Sequence, residues 1–208
     1  MKLKLLLCLA LVLSGHCFAA IVYPQAPDGG RQMVVKYLDP QFLKFLKVSR
    51  IEDLTIANPH RWYGVGLTNL ASGHLLSAAG SSSWRYILIH GTNAVGVATV
   101  FDTDAKTGKA LRFGGLFETC FSKETLEALR MAEALPQVKK QDYELRFLDI
   151  PAVYFVAVWL HAESDDILIP LPPAFGRWSA YQPCSESDMI KLLKPEAKKV
   201  LKQPNLLR

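Results

Sequence analysis

The strongest constraint on this chain is a pair of strand triplets whose internal connections are too short to cross a sheet. In the first triplet, Trp84 to His90, Ala94 to Phe101 and Lys109 to Phe113 are rich in β-branched and aromatic residues. Gly91-Thr92-Asn93 and Asp104-Ala105-Lys106-Thr107-Gly108 join them. In the second, Tyr143, Leu145 and Phe147 alternate with Glu144 and Arg146. Ala152 to Leu160 is then apolar throughout, and Ile167 to Leu171 follows the turn at Asp165-Asp166. A parallel crossover takes about a dozen residues or more, so these connections predict antiparallel hairpins.

A helix pattern follows each triplet. Ser122 opens one that runs to about Leu135, with Leu126, Leu129 and Ala132 inward and Pro136 as terminator. Ser185 and Asp188 form a capping box ahead of the last helix. The expected fold is therefore α+β: a mostly antiparallel sheet from two three-stranded sets, at 84–114 and 143–171, with helices packed against it. The two halves share a pattern but not residue identities, so no duplication is inferred.

Residues 20–83 read as an N-terminal lead-in with short helices, packed on a core at 84–208 within one globular domain. Met33-Val34-Val35 is a short apolar piece, and Asp39-Pro40 gives an N-cap with Pro at the first helical position. Asn58-Pro59 breaks the chain, and Gly64-Val65-Gly66 reads as a bend. Leu70, Ala71, His74, Leu75 and Ala78 keep helical spacing over 68–79, with Gly80 as the stop. A chain of 208 residues, half of them hydrophobic, suits one such domain and excludes a disordered chain.

The first nineteen residues carry an address. Lys2 and Lys4 precede the apolar run Leu5 to Leu13, and Cys17-Phe18-Ala19 supplies small residues at the −3 and −1 positions. This is a secretory signal layout, with cleavage expected after Ala19 and a secreted or periplasmic location in a bacterium. His16 stands between Gly15 and Cys17, which departs from a lipoprotein signal. No other apolar segment is long enough to span a membrane, so no transmembrane segment is expected after cleavage.

Cleavage removes two lysines and leaves 22 basic against 19 acidic residues. That small excess argues against a nucleic-acid partner. Lys191, Lys194, Lys198, Lys199, Lys202 and Arg208 gather near the C-terminus, interrupted by Glu186, Asp188 and Glu196, as on a solvated helix face. Cleavage also leaves two cysteines, Cys120 and Cys184, which in an oxidising compartment are expected to pair. Such a bridge closes a long loop and stabilises by about 3–4 kcal/mol in the chain-entropy model.

Catalytic patterns are all incomplete. Asp102-Thr103-Asp104-Ala105-Lys106-Thr107 approaches a calcium loop, but Lys106 stands where an oxygen ligand is needed. The phosphatase pattern Asp-x-Asp-x-Thr has its Thr one residue late. Ala105 replaces the nucleophilic Asp of a phosphorylated ATPase loop. His60, His74, His90 and His161 show no metal-ligand spacing, so no metal and no cofactor are expected. His90-Gly91 ends a strand as an oxyanion turn does, without a Gly-x-Ser-x-Gly to serve it.

What remains is aromatic. Trp62, Tyr63, Phe175, Trp178 and Tyr181 lie in Pro/Gly-bearing segments, where rings anchor a partner or cap a core. The expected function is an exported, non-catalytic module that uses these five residues to bind a protein or envelope polymer. The rival expectation is a small secreted hydrolase. A phosphatase-like centre would use Asp102 and Asp104, and a serine-type centre would use His90.

Overall fold

The computed structural model describes residues 20–102, 110–117 and 121–203. The signal-like segment 1–19, Asp104 and Cys120 lie outside them. The first triplet becomes β4 (Gly80–His90), β5 (Asn93–Asp102) and β6 (Ala110–Phe117). The second becomes β7 (Tyr143–Ile150), β8 (Phe155–His161) and β9 (Asp166–Pro170). Each is an antiparallel meander, as the short connections require.

The lead-in supplies what joins them. His60–Gly64, which the sequence reads as part of a broken aromatic segment, forms strand β3 in the middle of the sheet. It lies antiparallel to β4 on one side and parallel to β7 on the other. The sheet order is thus β6-β5-β4-β3-β7-β8-β9. Leu54–Ile56 forms β2, which pairs with the other end of β4, and Ile21–Val22 forms β1, parallel to β7. Asn58-Pro59 falls between β2 and β3. A proline lacks the N–H that a ladder position needs, so the break lies there.

Helices cover both faces. In-register residues share a face, so Trp84, Arg61, Arg146, Trp159 and Leu168 all point the same way across five strands. On that face Gly30–Tyr37 (α1) and Pro40–Phe45 (α2) pack over Trp84, Tyr86, Leu88, Ala98 and Val100. Leu67–Ser72 (α3) and Glu186–Leu201 (α5) pack over Leu148, Ala157, Trp159 and Leu168. Ser122–Glu133 (α4) lies on the opposite face, against Leu145, Phe147, Val158 and Ile169. Leu70, Leu148, Leu160 and Leu193 are wholly buried, and burying a leucine side chain stabilises by about 1.5–3 kcal/mol.

The helix ends show which local signals acted. Asp39 caps α2 by accepting from the Phe42 N–H at 2.7 Å, and Ser185 caps α5 by accepting from the Asp188 N–H at 3.2 Å. The helix expected over 68–79 stops early. Gly73 takes φ +95, a left-handed cap that ends α3, and a separate turn of 3-10 helix follows at Leu76–Ala78. Ser122 is the first helical residue rather than the cap, and Phe121 precedes it at φ 61. No helix among the described residues is long and apolar enough to cross a membrane.

Candidate functional site

The five aromatics do not form one surface. Trp62 and Tyr63 are consecutive on β3 and therefore point to opposite faces of the sheet. Trp62 is buried against the α4 layer, stacked on Phe147 with centroids 4.1 Å apart. Tyr63 is half-buried on the other face, edge-on to Trp159 at 5.1 Å. Trp178 is buried, edge-on to Phe155 at 5.2 Å, and Tyr181 is half-buried against the α4 layer. These placements correct the expectation of exposed loop rings. Burying Trp62 and Trp178 removes more water-contacting apolar surface than exposing them would keep for a partner.

Phe175 alone is exposed, at 62%. It meets a residue that the sequence reading missed. Tyr154, 71% exposed, stands edge-on to it with centroids 6.2 Å apart. Both residues have left-handed backbones, φ 53 at Tyr154 and φ 49 at Phe175. Such a conformation costs a non-glycine residue about 1–2 kcal/mol. Arg177 lies over Phe175 at 5.5 Å and over the buried Trp178 at 4.9 Å, with Glu196 of α5 at 3.8 Å from its guanidinium. The pair thus projects from one end of the molecule, on a base held by the core and by α5.

The catalytic alternatives are scattered. His90 is exposed at the end of β4, opposite Asn93 across the turn at Gly91-Thr92. Asp102 ends β5, nine positions beyond Asn93, which places it about 30 Å along the strand from the His90 turn. The Asp102 side chain and Asp104 are not among the described groups. Cys184 is half-buried, and its thiol donates to the Leu168 carbonyl at 3.4 Å; burial pushes that thiol up to about 11. Its expected partner Cys120 is outside the described residues. No group of three or more His, Cys, Asp or Glu able to hold a metal occurs among the described residues.

Two groups with strongly displaced proton affinity, His60 of β3 and Asp149 of β7, lie on the α4 face of the sheet, around Arg85 of β4. His60 is fully buried, and burial, helped by the nearby Arg85 cation, pulls its imidazole down to about 3. Burial pushes the Asp149 carboxyl up to about 6, opposed by Arg85 and by a hydrogen bond from Trp62. Arg85 lies on the Trp62 ring, 2.9 Å from its centroid. Register explains the grouping, since His60 pairs with Arg85 and Trp62 pairs with Ser83 and Phe147.

On the other face, one row crosses four strands in register: Trp84, Arg61, Arg146, Trp159. Arg61 lies over Trp84 at 4.3 Å and donates to the Ser81 hydroxyl at 3.0 Å. Arg146 lies over Trp159 at 4.8 Å and over Tyr63 at 5.3 Å, and its Nε donates to Glu144 at 2.8 Å. The Trp159 indole N–H donates to Asp166 at 2.7 Å, and that carboxylate also meets His161 Nδ1 at 2.7 Å.

Comparison with protein-family models, curated proteins and solved structures finds no match. The functional argument therefore rests on these side chains.

Proposed function

We propose that the protein is an exported, non-catalytic α+β module that binds a macromolecular partner, a protein or an envelope polymer, through the Tyr154–Phe175 tip. One observation carries this reading. Two aromatic residues are held together, largely exposed, on backbones that both resist aromatic side chains. Nothing in the packing requires rings there, because the core closes beneath them on Trp178 and Phe155. Rigid aromatic side chains raised from a packed base are the usual anchors of a binding interface. Export rests on the Lys-led apolar segment and the small residues before Ala20.

The test is co-purification of the mature chain from its native envelope or culture fluid under non-reducing conditions. A stoichiometric partner is expected with the parent protein and is expected to be lost from Tyr154→Ser/Phe175→Ser, whose melting temperature should match the parent. A partner retained by the folded double variant would overturn the assignment of the tip. Absence of any partner, together with turnover in a hydrolase screen, would overturn the module.

A further inference from the structure

We propose that the Trp84–Arg61–Arg146–Trp159 row is a binding site for one compact oxyanion, a carboxylate or phosphate group carried by a ligand. This site is separate from the aromatic tip and does not depend on it.

Arg61 and Arg146 are direct neighbours on the parallel strands β3 and β7, with side chains on the same face. Like charges directly opposite one another destabilise a sheet. Both strands are central, so the two guanidinium groups cannot swing away from a free edge. Each lies against a tryptophan on its outer side. Those tryptophans belong to different clusters, Trp84 to the one beneath α1 and α2, and Trp159 to the one beneath α3 and α5. The arginines occupy the seam between these two helical groups.

The hydrogen-bond inventory of Arg146 gives the second reason. A guanidinium has five N–H donors, and Glu144 takes the one on Nε. Among the described residues, no hydrogen bond reaches its two terminal amino groups, although the side chain is only 18% exposed. Those amino groups are not among the fully buried, unpartnered atoms, so they face outward with up to four N–H donors open to an acceptor from outside. A planar carboxylate or a phosphate fits that fork in two-point fashion, and Arg61 stands alongside to share the charge.

The surrounding charges set the size of the group. Glu144 and Asp166 lie on the β1 side of the row, with His161 between them in the register. Both carboxylates repel a second negative group on that side. The favoured ligand therefore presents one oxyanion to the arginines and continues towards Ser81 and Tyr63, the next residues along β4 and β3. The indole beside each guanidinium adds cation–π stabilisation.

The tryptophans also report occupancy. The full chain is titrated with inorganic phosphate and, separately, with acetate, at constant ionic strength held with sodium chloride, while intrinsic fluorescence is followed. A saturable change is expected with at least one of the two. Phosphate alone identifies a phosphate ligand, acetate alone a carboxylate ligand, and both together a site open to either. Loss of a charge-assisted contact should weaken the response about tenfold or more in Arg61→Gln and in Arg146→Gln, and Trp159→Phe should change its amplitude. Lys191→Gln, on the exposed side of α5, should leave it unchanged. Arg146→Lys keeps the charge and the packed stem, and carries the test should Arg146→Gln lose the fold; it is expected to bind more weakly than the parent. A response no larger than that to sodium chloride, or one of unchanged affinity in folded Arg61→Gln and Arg146→Lys, overturns the site.

Discussion

His60 and Asp149 sit on the same face of the sheet and should drive acid stability in opposite directions. The folded protein holds His60 at about 3, whereas the unfolded chain protonates it near the ordinary value of 6.5. Its contribution is whole above that value and is lost as the pH falls, because the unfolded state then binds the proton that the folded state refuses. Two pH units, from about 6.5 to about 4.5, at 1.36 kcal/mol each set a loss of about 2–3 kcal/mol. Asp149 has the opposite sign. Its folded carboxyl takes a proton at about 6 and its unfolded one near 3.8. Lowering the pH through that window therefore favours the folded state, by about 1–2 kcal/mol once partial solvent access is discounted. The parent protein should show a net loss of about 1 kcal/mol from this pair, the larger histidine effect winning.

The variants separate the two contributions. His60→Gln should lose the histidine slope, so that its stability relative to the parent improves by about 2–3 kcal/mol between about pH 7 and pH 4.5. Asp149→Asn should become relatively worse over the same range, by about 1–2 kcal/mol. Urea unfolding followed by tryptophan fluorescence at several pH values measures each difference, and the other titrating groups cancel in it. Either glutamine or asparagine can lower absolute stability without affecting the test, which reads only the pH dependence. Parallel stability curves for the parent and His60→Gln would refute the reasoning.

Further expectations concern the aromatic residues and the caps. Trp178→Ala should cost about 3–5 kcal/mol in chemical denaturation, whereas Phe175→Ala should stay within about 0.5 kcal/mol of the parent. Tyr154→Gly relieves a left-handed backbone and should raise stability by about 0.5–1 kcal/mol, read as a higher melting temperature. Ser185→Ala removes the acceptor for the Asp188 N–H and should cost about 1 kcal/mol in the same assay.

The meanders were legible because their turns are short and their strands are apolar at the right period. Strand β3 was not. His-Arg-Trp-Tyr-Gly has a polar residue on each face, follows a proline and runs into Gly64-Val65-Gly66, so local pattern reads it as irregular. Only its two neighbours make it a strand. Helix α1 lacks a side-chain cap, since Gly29 precedes it, and its sequence gives no start signal. The candidate sites divide in the same way. Phe175 stands among turn residues and could be found, whereas Tyr154 hides inside the apolar run 152–160, where a left-handed backbone leaves no mark. The arginine row needs the β3–β7 register, which no local pattern encodes.

That parallel register also sets an order of events in folding. Each meander brings together residues close in sequence, and hairpins form within about 1–10 μs. Joining β3 to β7 instead closes a loop of about 80 residues between Gly64 and Tyr143, at an entropic cost that the local hairpins avoid. The two halves should therefore acquire their own backbone protection first and dock afterwards, so that the amides of β3 and β7 that bond across their shared seam are the last to be shielded in pulse-labelling hydrogen exchange. The arginine row, His60 and Asp149 all straddle this late contact, and they come into being only when the two halves meet.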